Sequence, residues 1–182
     1  MFITLEDVKN HIDLDSNDDD EILGTYINAI GDFLKNYLGR VVEETDIEEY
    51  FDGDEITDTI FLSHYPITDL EIAYNSGTYS NPEWTEYDVD EYQVDAEKGM
   101  ILVDVNYPGR RNIQVSYTAG YAAEDIPSAI KLAAIKLAAK IYNKKRSDGF
   151  KHEEAGGAAI DWDSFLSDDI TALLNPYRKI NI

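Results

Sequence analysis

The run Ile126-Pro127-Ser128-Ala129-Ile130-Lys131-Leu132-Ala133-Ala134-Ile135-Lys136-Leu137-Ala138-Ala139-Lys140-Ile141-Tyr142 constrains the fold more than any other part of this chain. Proline is tolerated in the first turn of a helix, where its missing N–H would have no partner anyway. Behind it, Ile130, Ala134, Leu137, Ala138 and Ile141 fall on one face. The small alanines on that stripe let a second helix approach closely. The spacing predicts a helix from about Pro127 to Arg146. It follows Gln114-Val115-Ser116-Tyr117-Thr118-Ala119-Gly120-Tyr121, a strand that ends in a glycine turn. Such a helix needs a long partner to cover its stripe.

That partner lies near the N-terminus. Ile22, Leu23, Tyr26, Ile27, Ile30, Phe33, Leu34, Tyr37 and Leu38 keep a 3.6-residue period over about 20 residues. Gly39 is placed to end the helix in a left-handed conformation. Upstream, Thr4 is a good N-cap with Asp7 three residues on, so a short helix is expected over about residues 5–11. The acid-rich stretch from Asp13 to Asp20 reads as a turn whose carboxylates suit the start of the next helix.

From about residue 45 the pattern changes to short β-branched and aromatic runs. Residues 59–62, 70–74, 92–95, 100–105 and 113–117 read as strands. Tyr65-Pro66, Asn75-Ser76-Gly77, Lys98-Gly99 and Pro108-Gly109 separate them as turns. The polar stretch 76–90 reads as a long loop. The expected fold class is α+β: a helical frame of two long packed helices plus short terminal helices. A small antiparallel sheet or barrel of five or so strands is inserted into it. The expected division is a helical domain of residues 1–44 and 122–150, a β insertion of 45–121, and a hinge and docking tail of 151–182.

In the last part, Ala155-Gly156-Gly157-Ala158-Ala159 reads as a flexible hinge. Ser167 can cap a short helix begun by Asp168 and Asp169. Ile170, Leu173 and Leu174 give that helix one apolar face, and Asn175-Pro176 stops it. This tail docks either on its own domain or on a neighbour. Lys136, Lys140 and Lys144 recur at i, i+4 and i+8, so they share one face of the long helix, extended by Lys145 and Arg146. Phosphates, an acidic partner or plain solvent each suit that stripe.

The net charge of −22 is unevenly placed. Residues 1–120 hold 28 acids and 6 bases, residues 121–182 nine of each. Tight wrapping of DNA is therefore not expected, since phosphate binding needs clustered Lys and Arg. No cysteine is present, so disulfides and thiolate metal sites are ruled out. No apolar run approaches the ~20 residues that span a bilayer. The first residues lack a basic stretch followed by an apolar one, so no signal peptide is expected.

Catalytic chemistry finds no foothold. The series Asp13, Asp15, Asn17, Asp19 begins like a calcium loop, but Asp18 and Gly24 stand where glycine and glutamate are needed. His11, His64 and His152 are scattered, and no second histidine follows His152 at i+4. There is no phosphate-binding glycine loop and no nucleophile elbow. The chain therefore reads as an assembly part that uses no cofactor and no metal, not as an enzyme. Two other readings stay open: an acidic interaction module such as a DNA mimic, and a small enzyme with its site in the β insertion.

Three sets of residues carry a resemblance. They are Leu5-Glu6-Asp7-Val8-Lys9 with Asp18-Asp19-Asp20-Glu21-Ile22-Leu23 and Tyr37-Leu38-Gly39-Arg40; Tyr65-Pro66-Ile67 with Tyr117-Thr118-Ala119-Gly120-Tyr121, Ile126-Pro127 and Tyr142-Asn143-Lys144-Lys145-Arg146; and Leu173-Leu174-Asn175-Pro176-Tyr177-Arg178. In this order they resemble the head–tail connector (adaptor, or head-completion) proteins of tailed bacteriophages, in a longer form with a β insertion. The resemblance implies a homo-oligomeric ring, usually of twelve copies, below the portal in the virion, assembled in the host cytoplasm. Such a ring extends the DNA channel without specific DNA binding, touches no membrane, and offers a surface to the next tail component. The C-terminal segment commonly grips the portal. Phe165, Leu166, Ile170, Leu173, Leu174, Tyr177 and Arg178 are then the implied docking set, and Lys136, Lys140 and Lys144 the expected contacts to a subunit or partner. The tail, residues 160–182, is expected to be mobile in the free monomer and ordered in the assembly. Part of the surplus acid, Asp13 to Glu21 or the group Glu43, Glu44, Asp46, Glu48 and Glu49, is expected to face the channel.

Overall fold

The computed structural model of the chain describes residues 2–53, 58–78, 80–105, 107–147 and 162–179, and of residues 145–147 the backbone alone. The chain divides into two compact units, residues 1–39 with 123–182, and residues 40–122.

The first unit is helical. Its helices are α1 (Leu5–His11), α2 (Asp20–Leu38), α3 (Ser128–Ser147) and α4 (Asp168–Leu174). Thr4 and Asp7 form a complete capping box at α1: the Thr4 N–H donates to the Asp7 carboxylate at 2.7 Å and the Asp7 N–H to the Thr4 hydroxyl at 3.1 Å. The Thr4 N–H and then the Thr4 hydroxyl, each donating to the Asp7 carboxylate at 2.7 Å, hold that carboxyl below its ordinary pKa. Helix α2 buries Leu23, Ile27, Ile30, Leu34 and Leu38, one residue per turn on one side. Gly39 closes it at φ +69°. Helix α3 buries Ile130, Ala133, Ala134, Leu137, Ala138 and Ile141, and α2 and α3 pack against each other. Tyr142 on α3 donates its hydroxyl to Asp19 at 2.7 Å, tying the end of one helix to the start of the other.

The acidic turn before α2 is stapled by a lysine. Lys9 Nζ lies 2.8 Å from Asp20 and 2.6 Å from Asn17.

The second unit is β structure. Its strands are β1 (Thr45–Phe51), β2 (Thr59–Phe61), β3 (Ile67–Asn75), β4 (Trp84–Glu86), β5 (Tyr92–Asp95), β6 (Met100–Val103) and β7 (Ile113–Ala119). They form two antiparallel sheets, in the orders β1-β7-β3-β4 and β2-β6-β5. Alternation in β7 sets the faces. Ile113, Val115, Tyr117 and Ala119 are buried, and Gln114, Ser116 and Thr118 point the other way. The inward set joins Ile60, Leu62, Ile67, Ile72, Ile101 and Val103 in one core. Gly120 turns the chain out of β7 at φ +104°, where a Cβ would stand 2.5 Å from the Glu43 carbonyl oxygen. Glycine is required there.

Two strands depart from the expectation. The first, β1, reads Thr-Asp-Ile-Glu-Glu-Tyr-Phe, and its acids mask its β-propensity. It forms nonetheless, because it needs only one neighbour, β7, and its acids stand at a sheet edge. The second, β4, lies inside the expected 76–90 loop. It is three residues long and follows from pairing with β3, not from any local pattern.

Candidate assembly surfaces

The C-terminal segment and the lysine face of α3 meet each other. Lys136 Nζ forms an ion pair with Asp169 at 2.7 Å. Lys140 donates to the Ser167 hydroxyl, which in turn hydrogen-bonds Asp169. The Lys144 ammonium lies 4.8 Å from the Phe165 ring centroid and 3.4 Å from the Ser164 hydroxyl. Successive lysines, one turn apart on α3, thus hold successive parts of residues 164–169. Apolar contacts complete the seat: Phe165, Ile170 and Leu174 are buried, and α4 packs on α3.

The ends of the segment are fastened to α2. Trp162 stacks on Phe33 with centroids 4.3 Å apart and planes 11° from parallel. Arg178 lies 4.8 Å over the Tyr37 ring. The Lys179 N–H donates to the Leu38 carbonyl at 2.7 Å, which satisfies one of the orphan carbonyls at the end of α2. Of the seven implied docking residues, Phe165, Ile170 and Leu174 face their own unit. Leu166, Leu173 and Tyr177 are half-buried, and Arg178 is exposed. The expected hinge at residues 155–159 and His152 lie outside the described residues.

A second surface occupies the β unit. On the face of the larger sheet opposite the core, register lines up rows across the strands. At one end stand Asp46, Thr118 and Thr68. Next come Glu48, Ser116 and Glu71, then Tyr50, Gln114, Ala73 and Glu86. In that last row the Tyr50 ring lies 6.0 Å from that of Trp84, its hydroxyl donates to Glu48 at 2.7 Å, and Arg111 sits 5.3 Å over it. Tyr50 and Trp84 are 37% and 40% exposed, as Phe61 is at 53% on the smaller sheet. Glu49, a member of the acidic group near residue 45, faces the other way and accepts from the Ser63 N–H at 3.1 Å.

The loop that carries Arg110 and Arg111 is fixed from below. Asn112 is buried; its side chain donates to the Tyr107 carbonyl at 2.7 Å and accepts from the Gly53 N–H at 2.9 Å. Gly53 also donates to the Gly109 carbonyl at 2.7 Å. A Cβ on Gly53 would stand 1.9 Å from the Tyr107 carbonyl oxygen. Tyr107 stacks flat on Tyr74 at 3.6 Å, and Tyr87 packs edge-on against both. On this base Arg111 adopts φ +47°, its N–H bonded to Asp52 at 2.6 Å. A left-handed arginine is rare, and such a residue costs about 1–3 kcal/mol that its surroundings must offset.

Among the described residues no group of His, Asp and Glu is placed to hold a metal ion, and no helix is long and apolar enough to cross a membrane. The His64 ring accepts the Val41 N–H at 3.3 Å.

A model of the family described as "Head completion protein" matches residues 1–180. The chain belongs to the head completion protein family. It is a structural subunit of a head–tail connector and a component of the virion. Solved chains that share its fold include the following three. One, from "Neck of empty GTA particle computed with C6 symmetry", has a TM-score of 0.64 at 14% identity and covers 100% of this chain and 91% of its own. Another, from "Virion of native gene transfer agent (GTA) particle", gives 0.65 at 16% over 100% and 91%. The third, from "Neck of native GTA particle computed with C12 symmetry", gives 0.61 at 15% over 98% and 89%. No curated protein matches this chain.

In this head completion protein the tail clamp is expected to respond to acid. The Lys136 ammonium, and after it the Ser167 hydroxyl, hold the Asp169 carboxyl well below the usual carboxylate range. A depressed folded-state pKa gives stabilisation that is complete above about pH 4 and is lost as pH falls below it. Emission from Trp162, read in a Trp84→Phe background, should therefore report loosening below about pH 4. In Asp169→Asn this response should be shallower; a profile superimposable on the parent would place the acid-sensitive contact elsewhere.

Sequence reasoning marked the lysines and the tail separately and missed their pairing. It also missed Trp162 and the Arg–Tyr–Trp group. The available signal for the latter was Pro108-Gly109-Arg110-Arg111, two adjacent arginines where residues 40–122 hold nineteen acids and four bases.

Proposed function

We propose that copies of this chain close into a ring, twelve in number, seated on the portal and continuing its DNA channel toward the tail. The observation that carries this reading is the family match over residues 1–180. The fold shared with neck chains of particles computed with C6 and C12 symmetry supports a cyclic arrangement. The C-terminal segment is the portal-docking element. It keeps Phe165, Ile170 and Leu174 on α3 and offers Leu166, Leu173, Tyr177 and Arg178 outward. Lys136, Lys140 and Lys144 serve the docking by holding the segment in place. Duplex DNA passes without specific binding, because a wall with surplus carboxylates does not hold phosphates by counterion release. The role is mechanical and involves no reaction, and assembly takes place in the host cytoplasm.

Mixing the chain with portal rings tests this. Native mass measurement should show portal plus a full complement of this chain, with no partial rings at saturation. A chain that stays free at every ratio would refute the docking.

A further inference from the structure

One face of the larger sheet carries acids along its length, Asp46, then Glu48 and Glu71, then Glu86, and arginine at one end only. There Arg111 lies over the Tyr50 ring, with the Trp84 ring 6.0 Å from that of Tyr50 and Arg110 next in the chain; Glu48 accepts from the Tyr50 hydroxyl at 2.7 Å. The unit has four bases. Arg40 is buried, its guanidinium 4.7 Å from the Tyr65 ring and donating to the Tyr65 carbonyl at 2.9 Å. Lys98 is paired with Asp95 at 2.7 Å. Arg110 and Arg111 are exposed, and among the described residues neither has an ion-pair partner.

We propose that this face makes a head-to-tail contact between neighbouring copies: the Arg110–Arg111–Tyr50–Trp84 end of one chain docks on the Asp46–Glu71 end of the next. The proposal rests on the ring reading and deepens it by naming the joint. Three observations carry it. Trp, Tyr and Arg are the residue types that dominate protein interfaces, and here they stand together, exposed, in a unit otherwise starved of bases. The loop is preorganised by Asn112, Gly53 and the Tyr74–Tyr87–Tyr107 stack, so little freedom is lost on docking. The left-handed Arg111 is a backbone outlier with no role in the core, the kind of strain that marks a binding loop. The arginines stand at one end of the strands and Asp46 at the other, so a contact between them is heterologous, as cyclic rings require.

Charge exchange tests the joint. One variant carries Arg110→Glu and Arg111→Glu, the other Asp46→Lys and Glu71→Lys. All four positions are exposed, and circular dichroism confirms that each variant is folded. Sedimentation velocity should show wild-type rings in the presence of portal, and each variant alone should fall at least tenfold in ring yield. In a 1:1 mixture the reversed arginine end meets the reversed acidic end, and the two untouched ends meet each other. Alternating rings should then form. Variants that form rings as wild type does, or a mixture that stays as poorly assembled as its components, overturn the proposal. If wild type forms no ring, the ring reading fails. The joint is then read from the mixture alone: association of the two variants that neither shows by itself supports it, and none overturns it. A low-salt shift of duplex DNA that the arginine variant abolishes assigns the cluster to phosphate and overturns it as well.

Discussion

Leu137→Asp is expected to lower the thermal midpoint by roughly 6–12 °C, if the protein folds at all. Leu137 has no exposed surface and lies on α3 among Ala133, Ala134, Ala138 and Ile141, the stripe of the helix that packs on α2. An aspartate there loses the apolar burial and adds a charge with no partner. Such a change costs about 3 kcal/mol or more, and each kcal/mol moves the midpoint of a chain this size by about 2–4 °C. Leu132→Asp is the matched control. Leu132 stands on the same helix but is 40% exposed, so its loss should stay within about 0.5 kcal/mol. Equal midpoints for the Leu137 variant and the parent would contradict the packing of the two long helices.

Deleting residues 160–182 is expected to leave a folded protein that no longer joins the portal. The deletion removes the seat of Phe165, Ile170 and Leu174, the Trp162–Phe33 stack and the Lys136–Asp169 pair. Helices α1, α2 and α3 pack on one another without it. Far-ultraviolet dichroism should lose little beyond the α4 signal, while mass measurement with portal rings shows no complex. A truncated chain that assembles like the parent would remove the segment from the docking role.

The helices were legible because each carries its own signals. Thr4 and Asp7 start α1, Gly39 ends α2, Pro127 opens α3 and Ser167 precedes α4. Strand β7 was legible from its alternation. What could not be read locally was pairing. The acid-laden β1 forms because β7 offers it an edge, and β4 exists only as the partner of β3. The split into two sheets is a choice of partners that no single strand encodes. The candidate surfaces divide in the same way. The lysine period on α3 and the Ser167-Asp168-Asp169 start are both visible in the chain, but their meeting bridges 33 residues from Lys136 to Asp169. The exposure of Tyr50 and Trp84 is likewise a product of sheet topology, since nothing in the residue type distinguishes them from the buried Tyr117 or Tyr87.

A reconstruction of the particle neck with this chain present tests the central claim most directly. The account predicts a closed ring of this fold on the tail-facing end of the portal, residues 162–179 against the portal and the central channel continuous through both. Density for this fold absent from the neck, or present as isolated copies that enclose no channel, would contradict it.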